Sequence, residues 1–388
     1  MKRLLNIFKF ALVFIFIVIV AISLLAFLTP QGKTSLKTIL FIPQVLPSIP
    51  VRPLEWFGSA PIVKEVSYPL ANGIGIADVY RPSGDGRYSA VLFSQGVVPG
   101  GRYDPRIVRL GKALARSGVV VMIPWSNTQV QNRISINDVD DMVNAFSYLV
   151  TLDYVNPEKA GMGGICVGAS LSTIAAQDYR IRDSVKFVNF FAGYYDAIDL
   201  VKSIGSRTRF YEGYTVPWDP DKLTMQIFME HLIEGVSESN DRELLTDIFV
   251  KGKIIDDVVL ENITSDAHAV YKLLDGIAFD EVDDAISKLS PKTKQFLRDI
   301  SPSRNINNLN ARMLIMHDRA DRLVNSEESK RLADALSDGN NVYHTEFSFF
   351  QREIQVHVGE SDDIGVLGYV GESVKLFNHM YQVFRELE

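Results

Sequence analysis

The stretch Gly161-Met162-Gly163-Gly164-Ile165-Cys166-Val167-Gly168-Ala169-Ser170 holds the one cysteine of the chain. Gly164-x-Cys166-x-Gly168 has the spacing of the nucleophile elbow G-x-S-x-G, with a thiol in place of the hydroxyl. The spacing has a steric cause. In a turn that tight, side chains two residues before and after the nucleophile crowd it and each other, so both positions favour glycine. The pattern predicts a strand, a sharp turn with Cys166 at its apex, and a helix. A cysteine at a helix start meets free N–H groups and the positive end of the dipole, which favour the reactive thiolate. Two other readings fit the same ten residues. One is a small buried cysteine in a glycine-rich turn. The other is a dinucleotide-binding loop, whose third glycine would fall at position 166.

A thiol nucleophile needs a base, and the base needs an orienting group. Ile315-Met316-His317-Asp318-Arg319-Ala320-Asp321 supplies two acids at the end of a predicted strand, Asp318 and Asp321. Either could instead cap a helix or join a surface ion pair. The candidate base is His357, in Gln355-Val356-His357-Val358, between the last predicted strand and the last predicted helix. His344 lies within that strand and reads as structural. His231 and His268 fall in the middle of the chain, His379 lies on the last helix, and His317 precedes the acids. None of the six histidines has a metal-ligand spacing such as H-E-x-x-H.

These residues need a scaffold. Ile62 to Tyr68 and Ile74 to Tyr80 read as a hairpin turning at Ala71-Asn72-Gly73. Strands are predicted at 90–93, 119–123, 159–165 and 185–191, and helices at 104–117, 138–150 and from the elbow to about 180. The alternation resumes with a strand at 313–316, a helix at 326–337, a strand at 342–350 and a helix at 369–387. Such alternation indicates a mostly parallel sheet with helices on both faces, whose ligands bind at the carboxyl ends of the strands. Residues 197–300 break it. They are helical in character and acidic, and read as a helical cap inserted over the site, their acids being solvated faces rather than ligands.

The N-terminus has a different character. Lys2, Arg3 and Lys9 precede nineteen uncharged, mostly apolar residues, Phe10 to Leu28. That length spans a bilayer as a helix, and no A-x-A site follows it. Residues 1–29 are therefore expected to be an uncleaved, single-pass transmembrane anchor. The charge bias puts the catalytic part on the extracytoplasmic side, although a free thiol there is open to oxidation. Residues 30–60, rich in proline, read as a linker packed in part on the surface. The expected hydrolase core comprises 61–196 and 301–388.

A net charge of −7 without a basic cluster argues against a nucleic-acid partner, and a single cysteine excludes an intramolecular disulfide. The order nucleophile, acid, histidine is similar to that of the α/β-hydrolases, and residues 60–388 resemble that superfamily, with the cap interrupting it. The cysteine resembles the dienelactone hydrolase branch, whose nucleophile is a thiol. His317 to Val324 is similar to the superfamily pattern H-G-x-x-D-x-x-V. That resemblance selects Asp321 as the acid, although Asp318 stands where the glycine usually is. Gln95-Gly96 replaces the usual His-Gly after the third strand, and the backbone N–H groups near Val97 and of Val167 would form the oxyanion hole.

The resemblance implies an α/β-hydrolase fold and acyl transfer on an ester, lactone or thioester by Cys166, His357 and Asp321, with no cofactor or metal. The partners expected are a small acyl substrate and, through the N-terminal helix, a membrane. A non-catalytic binding or scaffolding domain of the same fold is the alternative. A peptidase of this fold would want serine in the elbow.

Overall fold

The computed structural model describes residues 28–98, 100–337, 341–350 and 365–388. Its centre is an eight-stranded sheet: β1 (Ile62–Leu70), β2 (Gly73–Arg81), β3 (Tyr88–Ser94), β4 (Val119–Pro124), β5 (Val155–Ile165), β6 (Phe187–Phe191), β9 (Arg312–Asp318) and β10 (Val342–Phe347). The spatial order is β1-β2-β4-β3-β5-β6-β9-β10. β2 runs antiparallel to β1 and β4, and every other pairing is parallel. This is an α/β fold with a mostly parallel sheet, and its strand order is that of the α/β-hydrolase fold.

Alternation along the strands divides the core in two. Leu92, Met162, Val188 and Ile315 face the helices Asn137–Leu149 and Val167–Ala175. Val91, Phe93, Ile165, Phe187 and Met316 face the helices Pro105–Arg116 and Gly365–Glu386. Burial on both faces explains why the central strands read as continuous apolar runs. β3, β5 and β9 all end at one edge. The loops 95–98 and 319–324 and the Cys166 turn meet there.

The expected linker at 30–60 is corrected. Pro30–Val45 is a helix, capped by Thr29, whose hydroxyl accepts the Gly32 N–H at 3.0 Å. Phe41 is 1% exposed and meets Phe384 of the last helix edge to face, with ring centres 5.2 Å apart. The prolines that suggested a tether do not prevent the helix, although only Pro30 falls where a helix tolerates proline freely. Pro30 occupies the first turn, where its missing N–H costs nothing, and Pro43 lies in the last turn. Among the described residues no helix is long and apolar enough to cross a membrane. The expected span lies outside them except for Leu28.

Between β6 and β9 run the helices Ala197–Ser206, Lys222–Gly235, Ser239–Phe249, Asp257–Leu260, Ser265–Asp275, Val282–Lys288 and Pro291–Asp299. The segment also contains an unexpected antiparallel hairpin, β7 (Thr208–Tyr211) and β8 (Tyr214–Pro217). Glu212 and Gly213 form its two-residue turn, both with positive φ, as the twist of a tight hairpin requires.

Candidate active site

Cys166 sits between β5 and the helix Val167–Ala175 at φ 54°, ψ −134°. Few non-glycine residues adopt such a backbone, and holding one there costs about 1–3 kcal/mol. Its neighbours impose it. The Cys166 N–H donates to Phe191 O on β6 at 2.9 Å. A Cβ on Gly164 would lie 2.5 Å from the Gly168 carbonyl carbon. One on Gly168 would lie 2.6 Å from both Gly96 N and Ser94 O. Both elbow glycines are thus sterically required.

The loop after β3 lies against this turn. Gly96 has φ +69°, and its Cβ position is 2.5 Å from Ile165 O and 3.1 Å from Gly168 N. Val97 is therefore delivered beside Cys166, and its side chain shares a cavity wall with Cys166 and Val167. Among the described residues neither the Val97 nor the Val167 N–H donates to a carbonyl. The Val167 N–H instead reaches the Cys166 sulfur, and donors so placed beside a nucleophile are what an oxyanion hole requires.

The two acids separate by what they bond. Asp318 is buried, and its carboxylate accepts the N–H groups of Ala320 at 2.9 Å and Phe350 at 2.7 Å. It ties the end of β9 to the segment after β10. Asp321 is also buried; its Oδ1 accepts Leu323 N–H at 2.7 Å and Val324 N–H at 3.2 Å. Its Oδ2 lies 3.6 Å from His317 Nε2. The Asp321 charge is close enough to disfavour ionisation of the Cys166 thiol. Asp321 is thus the acid whose charge the nucleophile feels, and Asp318 ties the loop to the segment after β10. His317 is fully buried between Ser329 and the Val324 carbonyl, a bracing position. His379 is also buried, bonded to Thr345 and Asn189. His357 lies outside the described residues.

Burial, then the Asp321 charge, pushes the Cys166 thiol up to about 12; the Val167 N–H pulls the other way. Within the described surroundings the resting thiol is therefore protonated, and attack requires a base.

Cys166 opens on an apolar cavity of about 90 Å³. Val97, Val167 and Tyr194 wall it from the sheet side, and Leu223, Phe228, His231 and Phe296 from the inserted helices. That helical segment is tied directly to the acid loop: Trp218 Nε1 donates to Asp321 O at 3.0 Å and Thr224 Oγ1 to Leu323 O at 2.9 Å. A second apolar cavity, about 150 Å³, lies on the other face beneath the helix Pro30–Val45, and Cys166 is not in its wall.

His231 and Tyr194 belong to this site although neither stood out in the sequence as part of it. His231 stacks on Phe296, ring centres 4.9 Å apart, and its Nε2 accepts the Ile134 N–H at 3.0 Å. Burial holds its pKa below the usual histidine value, so it is the neutral ring that accepts. His231→Ala leaves the Ile134 N–H unpaired, and is expected to lower the unfolding free energy by about 1–3 kcal/mol in urea titration. The sign with pH follows. A histidine whose folded pKa is depressed contributes fully above the unfolded value, about 6.5, and loses the contribution as pH falls toward the folded value. The gap between wild type and His231→Ala should therefore narrow on acidification. A pH-independent gap would show that the hydrogen bond does not carry the effect.

No family model matches the chain, and no curated protein matches it. Among solved structures it is similar to the uncomplexed acylaminoacyl peptidase of Pyrococcus horikoshii (TM-score 0.49, 15% identity, 86% of this chain and 42% of that one). It is also similar to an esterase from Pyrobaculum calidifontis in a monoclinic form (TM-score 0.44, 14% identity, 95% and 98%). A third is carboxyl esterase 2 of Tuber melanosporum (TM-score 0.47, 16% identity, 85% and 88%). The chain spans about two fifths of the length of the acylaminoacyl peptidases. The fold rests on strand order and the chemistry on the site, not on these likenesses.

Proposed function

We propose that this protein is a membrane-tethered hydrolase that cleaves an ester, lactone or thioester through an acyl-enzyme on Cys166. The observation that carries the reading is Cys166 itself, held at φ 54° at the carboxyl edge of the sheet and opening on an apolar cavity. In this reading His357, oriented by Asp321, takes the thiol proton, and the thiolate attacks the carbonyl carbon. The oxyanion that forms accepts from the Val97 and Val167 N–H groups, each worth about 3–4 kcal/mol in comparable sites. Protonation of the leaving group by the imidazolium gives the acyl-thioester. Water, deprotonated by His357, then releases the acid and restores the thiol. The apolar wall suits a hydrophobic acyl group. Residues 1–29 would hold the enzyme in the membrane with the site on the extracytoplasmic side. The thiol nucleophile aligns this reading with the dienelactone hydrolase branch.

One observation favours a second reading. Cys166 is largely covered, which pushes its thiol up, and without a base a protonated thiol attacks nothing, as in a non-catalytic binding domain. The purified full chain assayed on short- and medium-chain p-nitrophenyl esters separates the two. Catalysis predicts turnover that Cys166→Ala and His357→Ala each reduce by about 10³-fold or more. A folded wild type that turns over none of the esters and resists iodoacetamide would leave the binding domain.

A further inference from the structure

Tyr194 follows β6 and is locked to the elbow helix. Ser170 Oγ donates to Tyr194 O at 2.8 Å and accepts the Tyr194 N–H at 2.9 Å. The side chain is 2% exposed and forms part of the wall of the Cys166 cavity. Its hydroxyl has no hydrogen-bond partner among the described residues. A buried hydroxyl without a partner is costly, and phenylalanine would fill the same volume without that cost. Packing therefore does not account for the hydroxyl.

Of the other polar side chains of the wall, Thr224 and the Nε2 of His231 are committed, and the neutral His231 ring keeps its proton on Nδ1. Thr224 Oγ1 donates to Leu323 O, and His231 Nε2 accepts from Ile134. The remaining surface is aliphatic or aromatic, apart from the thiol. Burial and the nearby sulfur both disfavour ionisation of the phenol, so Tyr194 presents an O–H donor at any working pH.

Building on the acyl-transfer reading, we propose that the Tyr194 hydroxyl selects acyl groups whose hydrocarbon chain carries one acceptor oxygen, as an ether or ketone. Such a chain fills the apolar wall and gives the orphan donor its acceptor. An all-carbon chain of the same length leaves it buried and unpaired. Discrimination by an unpaired buried group exceeds what shape alone gives in an apolar pocket.

The test compares p-nitrophenyl octanoate with isosteric analogues in which successive chain methylenes are replaced by oxygen, on wild type and Tyr194→Phe. Each analogue's intrinsic reactivity cancels in the ratio of ratios. For at least one oxygen position, the wild-type kcat/KM preference over octanoate should fall about tenfold to a hundredfold in Tyr194→Phe. The loss should appear mainly in KM, while octanoate itself improves. Ligand-induced stabilisation by the same esters is also measured in Cys166→Ala and in Cys166→Ala/Tyr194→Phe, where no turnover is needed. Wild type without turnover, but with an oxygen preference in Cys166→Ala that Tyr194→Phe removes, would defeat the hydrolase reading and leave the selectivity standing. Equal ratios in wild type and Tyr194→Phe, or equal stabilisation in the two Cys166→Ala proteins, overturns it. Thermal melting of Tyr194→Phe confirms that the variant is folded.

Discussion

Gly168→Ala is expected to cost about 3 kcal/mol of stability or more and at least 10²-fold in turnover. The added methyl would sit 2.6 Å from Gly96 N, 2.6 Å from Ser94 O and 2.7 Å from Ser94 Oγ. Two of these atoms are backbone, so no rotamer change relieves the contact. Overpacking a tight core typically costs about 1–3 kcal/mol, and an obstacle made of backbone puts this site at the upper end. Relief requires the 94–97 loop to move away from the elbow, and that loop carries the Val97 N–H. The same shift therefore withdraws an oxyanion donor, whose loss in acyl transfer costs about 10²–10³-fold. Gly163→Ala is the control. It lies on the same strand, but its methyl would meet nothing nearer than Asn189 O at 3.4 Å, and it should remain within about 1 kcal/mol of wild type. Urea unfolding and ester turnover on both variants decide the matter. Equal stability of the two would mean that the loop does not abut the elbow as described.

The same contrast shows what in this chain can be read without coordinates. The elbow was legible because part of its constraint is local: glycine at 164 is demanded by the Gly168 carbonyl within five residues, whereas glycine at 168 is demanded by Ser94 and Gly96 of the distant loop after β3. The alternation of apolar strands and amphipathic helices was legible for a similar reason, since burial on both sheet faces writes itself as period and composition. The acid was less so. Asp318 and Asp321 are three residues apart, and spacing and residue type alone leave both open. The superfamily pattern selects Asp321, and the structure separates them by the Phe350 N–H that Asp318 accepts and the Leu323 and Val324 N–H groups that Asp321 accepts. The helix Pro30–Val45 is hard to read because its prolines mask it, Pro43 lying inside the helix itself. Thr29-Pro30, a cap followed by a first-turn proline, was the available signal. The hairpin of β7 and β8 was hidden within a helical stretch, although Thr208-Arg209-Phe210-Tyr211 and Tyr214-Thr215-Val216 flank Glu212-Gly213 with strand-forming residues. Tyr194 and His231 carried no such signal. One sits after a strand and one on a cap helix, and tertiary packing alone turns them toward Cys166.

Asp321→Asn should move turnover and thiol reactivity in opposite directions. The amide oxygen can keep the Leu323 and Val324 N–H bonds that shape the loop, so the fold is retained while the charge is lost. If Asp321 orients and stabilises the base, turnover falls about 10³–10⁴-fold, the scale seen when a triad carboxylate becomes an amide. The thiol responds differently. Burial is the larger cause of its elevation and the Asp321 charge the second. Both disfavour the thiolate, so removing the charge lowers the thiol pKa. Below that pKa each unit of decrease multiplies the thiolate fraction by about ten. The clean measurement is alkylation by iodoacetamide in a His357→Ala background, where the histidine contributes nothing. The rate should still be rising at pH 10 in that parent, as a midpoint near 12 requires. Adding Asp321→Asn should shift the profile to lower pH. A general loosening of the site would speed alkylation without moving its midpoint. A lost orienting charge moves the midpoint and, with His357 present, costs turnover. An unmoved midpoint would place Asp321 too far from Cys166 to act on the nucleophile or its base.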